Sequence, residues 1–213
     1  MDIIDKNIEK YIEDHTSNVS KVLSELDRET HIKVLRPRML SGAVQAKLLE
    51  LLIKMSNAKR ILEIGTYTGY SAISMASALS NNGHLHTIDI NIELESIINK
   101  YIQLSNLESK ITHHIGNALE IIPTLDEDFD FIFIDADKEN YLNYYKLLIN
   151  RIPSGAWIVA DNVLWSGKVI SELRSKDTET KALVEFNNFI INDNRVENIM
   201  LPLRDGLMII RKN

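Results

Sequence analysis

The sequence predicts an α/β fold: an open, mostly parallel sheet with helices on both faces, an antiparallel last strand and a helical extension at the N-terminus. Three observations lead there. From Arg60 onward, short apolar runs alternate with longer amphipathic stretches, the pattern of strands joined by crossover helices. Two of the runs, Phe131-Ile-Phe-Ile134 and Ala156-Trp-Ile-Val-Ala160, are apolar throughout, as strands covered on both faces are. The last two strand-like segments, 196–201 and 207–211, are separated by only five residues, a connection that suits an antiparallel hairpin.

Taken in order, the first sixty residues read as helical. Ile4, Ile8, Tyr11 and Ile12 share one face, Val19, Val22, Leu23 and Leu26 share another, and a third helix over 42–55 carries Val44, Leu48, Leu51 and Leu52. Arg36-Pro37-Arg38 interrupts them, because proline restricts both itself and the residue before it. Strands are expected at 61–64, 84–89, 111–115, 131–134 and 156–160, with helices near 70–79, 92–105 and 140–150. A loop over 162–169 and a helix over 176–191 precede the final hairpin. The expected organisation is a single domain in which residues 1–58 form a helical cap on a core of residues 59–213.

Bulk composition narrows the function. At 213 residues and 45% hydrophobic, the chain can bury one sizeable core. A formal charge of −6 argues against a nucleic-acid or anionic-membrane partner, which would call for a basic face. Without cysteine there is no disulfide, zinc-thiolate or thiol chemistry. The charged start, Met1-Asp-Ile-Ile-Asp-Lys-Asn, does not read as a signal peptide, so a cytoplasmic location is expected.

The two fully apolar runs each end in acid. Phe131–Ile134 leads into Asp135-Ala-Asp137-Lys138, and the run ending at Ala160 leads into Asp161-Asn162. If the strands are neighbours, two carboxylates and an amide oxygen meet at one spot, a hard donor set suited to Mg²⁺, Mn²⁺ or Ca²⁺. Upstream, Ile61-Leu-Glu63-Ile-Gly65-Thr-Tyr-Thr-Gly69-Tyr-Ser71 reads as a strand, a glycine turn and a helix start. Its glycines permit positive φ and close approach of a ligand to bare backbone. No Gly-Lys-Ser/Thr follows, so it is not a phosphate loop. Asp89 ends the second strand, where an acid can accept from ribose hydroxyls, and the combination suits an adenosine-like cofactor.

Glu63-Ile-Gly-Thr-Tyr-Thr-Gly-Tyr-Ser71, Phe131-Ile-Phe-Ile-Asp-Ala-Asp-Lys138 and Asp161-Asn-Val-Leu-Trp-Ser-Gly167 together resemble the cation-dependent, S-adenosylmethionine (SAM)-dependent O-methyltransferases, the group that includes catechol and caffeoyl-coenzyme A O-methyltransferases. The resemblance implies the seven-stranded, Rossmann-like class I methyltransferase fold and a homodimer. It further implies that Glu63, Gly65 and Ser71 line the methionine part of the cofactor, with Met39 and Ser41 closing over it. Asp89 would hold the ribose hydroxyls, Ala118 would lie beside the adenine, and Asp137 would sit near the methionyl amine. Asp135, on the cofactor side as well, would bind the metal with Asp161 and Asn162, and Lys138 would be the base. Tyr67 stands where the wider methyltransferase pattern has a middle glycine, a change the cation-dependent subgroup tolerates.

The chemistry wants such residues. A phenol of pKa about 10 is ionised to roughly one part in a thousand at neutral pH, so making its phenolate costs about 4 kcal/mol. A divalent cation touching two adjacent hydroxyls removes much of that cost and orients the attacking oxygen. Lys138 can take the proton if burial and the metal's charge favour its neutral form. A vicinal dihydroxy aromatic can chelate and a monophenol cannot, and Trp165 offers an apolar wall for the ring. Tyr141, Tyr144 and Tyr145, at helical spacing, read as core. His113 and His114 point to opposite faces of a strand and read as structural. Arg36 and Arg38 read as an acidic-tail site or a solvated or interface pair, and Asp126-Glu-Asp128 as a solvated loop. Methylation of a hydroxylated tRNA uridine and a catalytically silent adenosine-binding module are the competing functions.

Overall fold

In the computed structural model, which describes residues 4–213, seven strands form one sheet in the order β3-β2-β1-β4-β5-β7-β6. They are β1 (Arg60–Ile64), β2 (His84–Asp89), β3 (Ile111–Ile115), β4 (Phe131–Ile134), β5 (Trp157–Asp161), β6 (Val196–Leu201) and β7 (Leu207–Lys212). The first five run parallel, and β7 is antiparallel to both β5 and β6, as the short last connection requires. Three strands differ from expectation by a residue at an end: β1 starts at Arg60, β7 ends at Lys212, and β5 runs from Trp157 to Asp161, which pairs with Leu207.

Among the described residues eight α-helices accompany the sheet: α1 (Lys6–Asp14), α2 (Lys21–Lys33), α3 (Gly42–Ser56), α4 (Tyr70–Ala78), α5 (Glu95–Leu104), α6 (Ala118–Ile121), α7 (Tyr141–Leu148) and α8 (Thr178–Ile191). The sequence does not announce α6, because a single turn is too short to show a hydrophobic period. Asn117 starts it by accepting the Leu119 N–H at 3.0 Å.

Alternation along the strands splits the interior into two apolar layers. Ile61, Phe131, Phe133 and Val159 face a layer completed by Leu26 of α2, Leu49 and Ile53 of α3, Ile73 of α4 and Ile98 of α5. Leu62, Ile64, Ile132, Ile134 and Ile158 face the other, closed by Tyr145 and Leu148 of α7 and Phe186 of α8. The N-terminal helices are unequal. Leu23 and Leu26 of α2 are buried, whereas Ile8 and Tyr11 of α1 are 55% and 63% exposed, so the apolar face of α1 is not packed into this core. Glu29 ties α2 to α5 by accepting from Lys100 and from Tyr101 Oη at 2.7 Å, and these bonds hold its carboxyl down at about 2, with Lys100 the largest cause.

Register positions the site. Ile64 pairs with Ile88 on one side and with Ile134 on the other, and Ile134 pairs with Ala160. The next residue along each strand is Gly65, Asp89, Asp135 and Asp161, so these four stand in one row at the carboxyl edge. Gly65 has φ +100°, and a Cβ built on it would lie 1.9 Å from the Asp135 carbonyl oxygen. The backbone just past β4 thus requires glycine here. Gly65→Ala should therefore destabilise the protein by about 3 kcal/mol or more, combining left-handed strain with overpacking. Gly42 has φ +76° but only the Arg204 side chain at 4.0 Å, so Gly42→Ala should cost about 1–2 kcal/mol. Urea unfolding of the two variants measures both, and equal losses would refute the steric account.

Candidate active site

Two ligand-sized regions share one cleft of about 2250 Å³ along the carboxyl edge of the sheet. On the first side, the turn after β1 enters α4 through Tyr67 at φ +49° and Gly69 at φ +87°. The Tyr67 N–H donates to Asp89 Oδ2 at 2.7 Å and the Asn91 N–H donates to Oδ1 at 2.8 Å. Backbone thus fixes the Asp89 carboxylate while leaving each oxygen a further lone pair. Tyr67 Oη reaches the Leu35 and Arg36 carbonyls at 3.2 and 3.3 Å and fastens the segment after α2 to the turn. Met39, Ser41, Gly65, Asp89, Ala118, Asp135 and Asp137 all line this cleft. Met39 is half exposed at its rim, whereas Ser41 is buried.

Glu63 and Ser71 differ from expectation: neither lines the cleft. Glu63 is sealed within the sheet, where Thr87 Oγ1 donates to its Oε2 at 2.5 Å and Thr66 Oγ1 in turn meets Thr87 Oγ1. Burial pushes the Glu63 carboxyl up to about 8, against the pull of the Ser71 and Thr87 hydroxyls. Its Oε1 is buried without a partner, an acceptor held directly behind the glycine turn.

On the second side, Lys138 is buried and its ammonium is fully engaged. Nζ donates to Asp135 Oδ1 at 3.1 Å, to Asn162 Oδ1 at 2.7 Å and to Tyr141 Oη at 2.6 Å. Tyr141 Oη donates onward to the Asp161 carbonyl at 3.0 Å. Burial raises the Tyr141 phenol well above its ordinary value, so it stays a donor. Consecutive strand residues would point to opposite faces. Asn162 escapes that rule by adopting φ +59°, a left-handed conformation that asparagine tolerates, so its side chain shares the cleft with Asp161. The Asp161 carboxyl is pushed up to about 6 by burial first and by Asp135 second; Gln45, Lys138 and the Asn162 N–H oppose this.

Among the described residues no cluster of three or more His, Asp or Glu is arranged to hold a metal ion, and the candidate set is two carboxylates with one amide oxygen. All three belong to residues lining the cleft, as does Lys138. Asp137 is exposed and accepts from Tyr144 Oη at 2.5 Å, a bond that ties α7 to the site. Trp165, at φ +48°, lines the cleft with its ring centre 5.7 Å from Lys138 Nζ.

Several contributors were not visible in the sequence. Gln45 of α3 donates to Asp161 Oδ2 at 2.7 Å. Tyr141, read as core, is fully buried yet places its hydroxyl on Lys138, and its spacing of three from that lysine was the available signal. Between β6 and β7, Arg204 donates to the carbonyls of Ser41 and Arg38, and Asp205 accepts the Ser166 N–H. Gly206 accepts the Val163 N–H at 3.1 Å. His86 Nδ1 and His114 Nε2 lie 2.8 Å apart at the far edge, with His113 on the opposite face. Glu127, expected to be solvated, instead meets Arg60 Nε at 3.4 Å and His86 Nε2 at 3.5 Å.

A seven-stranded sheet with a reversed last strand, a glycine turn after β1 and an acid at the end of β2 defines the class of Rossmann-like methyltransferases. Within it, residues 13–213 match the model of the O-methyltransferase family, and the chain belongs to that family. The chain is 40% identical over 184 residues to caffeoyl-CoA O-methyltransferase 1 of Eucalyptus globulus, covering 82% of this chain and 75% of that one. An O-methyltransferase of Bacillus cereus in complex with SAH superposes with a TM-score of 0.89 at 30% identity, covering 97% of both chains. The O-methyltransferase TomG of Streptomyces achromogenes in complex with SAM does so with 0.88 at 28% identity, covering 97% of this chain and 96% of that one. The protein is a SAM-dependent O-methyltransferase of the caffeoyl-CoA O-methyltransferase type.

The raised Glu63 carboxyl has a measurable consequence. Its folded form binds a proton more tightly than the unfolded chain, so its contribution to stability is fully present below the unfolded value of 4.5 and is lost as pH rises towards 8. At pH 7 the loss amounts to about 3 kcal/mol. Glu63→Gln should therefore raise the melting temperature of the ligand-free protein at pH 7 and flatten its decline between pH 5 and pH 8. Calorimetry across that range checks both, and an unchanged pH dependence would refute the assignment.

Proposed function

We propose that the enzyme transfers the methyl group of SAM to one hydroxyl of a vicinal dihydroxy aromatic small molecule, assisted by a divalent cation. Mg²⁺ suits the site best, and Mn²⁺ or Ca²⁺ fits the same donors. The observation that carries the reading is that Asp135 and Asn162 already converge on one cation, the Lys138 ammonium, with the Asp161 carboxylate lining the same cleft. Two of the three hard oxygen donors already hold a positive charge, and the set fits a divalent cation, which when bound would stabilise a phenolate as a Lewis acid and chelate a diol.

The chain's own residues do the rest. Asp89, oriented by two backbone N–H groups, accepts from the ribose hydroxyls. Gly65 fits the methionine end, with Glu63 and Ser71 closed off behind it, and Ala118 at the start of α6 fits the adenine. Met39 and Ser41 cover the cofactor, and Asp137 faces its amine. Lys138 would take the phenolic proton, and SAM, when bound, would supply the methyl group that the oxygen receives. Trp165 flanks the ring. The Eucalyptus relative is a caffeoyl-CoA O-methyltransferase, and a caffeoyl group carries such a diol.

We also propose one working unit in which residues 1–58 cap the core of residues 59–213. The exposed Ile8, Tyr11, Ile32 and Leu35 of that cap suit a homodimer interface. No helix among the described residues is long and apolar enough to cross a membrane.

Asp161→Ala should abolish metal-dependent turnover of a catechol panel and leave SAM affinity by calorimetry little changed; equal loss of both would refute the division of labour. Lys138→Ala should lower kcat by about 10²- to 10⁴-fold with acceptor affinity little altered. An unchanged kcat removes it as the base. If the purified protein with Mg²⁺ turns over no diol, and tRNA nucleosides from cells lacking the gene have lost a methyl group, the acceptor assignment is wrong.

A further inference from the structure

Gln45 reaches the acceptor site from outside the sheet. It lies in the first turn of α3 and is fully buried. Its Nε2 donates to Asp161 Oδ2 at 2.7 Å, while its Oε1 is enclosed with no hydrogen-bond partner. Burying an unpaired amide oxygen is unfavourable, so space filling alone would be better served by an apolar side chain. The bond to Asp161 is what the glutamine adds.

Its backbone is anchored as well. In α4, Ser74 Oγ donates to the Ala46 carbonyl at 3.0 Å and to Glu50 Oε1 at 3.1 Å, and Lys47 Nζ meets Glu50 Oε2 at 2.7 Å. Asp161 Oδ1 meanwhile receives the Asn162 N–H at 2.7 Å. Each oxygen of the Asp161 carboxylate therefore has one fixed donor, one from its own strand end and one from the cap helix. That pair sets the rotation of the carboxylate plane, and with it the direction of the lone pairs left for a cation.

We propose that Gln45 is a positioning residue for the cation site: by holding Asp161 in one orientation, the cap helix α3 sets the affinity of the divalent ion. The proposal rests on the cation-assisted reading above. Groups that orient a metal ligand through a second hydrogen bond commonly change metal affinity by about 10- to 100-fold when removed.

The chain has two glutamines, Gln45 and the exposed Gln103. Protein labelled with ¹⁵N at glutamine therefore gives two side-chain amide signals. Titration with Mg²⁺ should shift the buried amide and leave that of Gln103 in place. Gln45→Met keeps the volume and removes the donor; its Mn²⁺ affinity by calorimetry should fall about 10- to 100-fold, with metal-free SAH affinity unchanged. Wild-type protein that binds neither Mg²⁺ nor Mn²⁺ overturns the cation reading and this proposal with it. Wild-type protein that binds Mn²⁺, beside a folded Gln45→Met that binds it equally, overturns the positioning role alone. If the variant does not fold, a buried amide signal unmoved by saturating Mg²⁺ overturns the role instead.

Discussion

Everything at this site depends on strand register. Because Ile88, Ile64, Ile134 and Ala160 pair across four parallel strands, Asp89, Gly65, Asp135 and Asp161 end at one level. A slip of one residue in any strand would turn its whole set of side chains to the other face. It would bury an acid in an apolar layer and expose an isoleucine, a change far costlier than any single hydrogen bond. The apolar layers therefore specify the active site by specifying register, and Gly65 completes the alignment by letting two strand ends touch.

Against that order stands a concentration of buried polar groups. Glu63 and Asp161 are both held where burial opposes their charge, and Lys138 is buried as well. At about 3 kcal/mol for Glu63 at neutral pH, the burden roughly equals the burial of one or two large apolar side chains. The two layers supply many of those, which explains how the fold carries such a site. A cationic cofactor would favour the charged forms of the two carboxylates, so its binding would recover stability that the empty protein lacks.

Much of this was legible in the sequence, for identifiable reasons. β4 and β5 are short, wholly apolar and end in acid, so strand type, burial and site fall out of one pattern. Parallel order followed from the alternation of strand and helix. What was hidden depends on contacts distant in sequence. Gln45 sits beside the apolar stripe of α3, where amphipathic logic places a polar side chain in solvent, and its partner is 116 residues away. Glu63 lies in a strand covered on both faces, where period-two reasoning cannot tell cleft from core. At Gly65 the chain's own backbone makes a close approach that the local sequence does not announce. Tyr141 was rightly read as core by its ring, yet its hydroxyl belongs to the site.

The reversed last strand has an effect beyond closing the sheet. Because β7 turns back beside β5, the connection before it lies at the same edge as the four strand ends. Arg204 there grips the Ser41 and Arg38 carbonyls, while Asp205 and Gly206 grip Ser166, Leu164 and Val163. The segment carrying Arg38 and Ser41 and the segment carrying Val163, Leu164 and Ser166 thus hang from one post. Both segments are therefore tied to the same three consecutive residues, Arg204, Asp205 and Gly206.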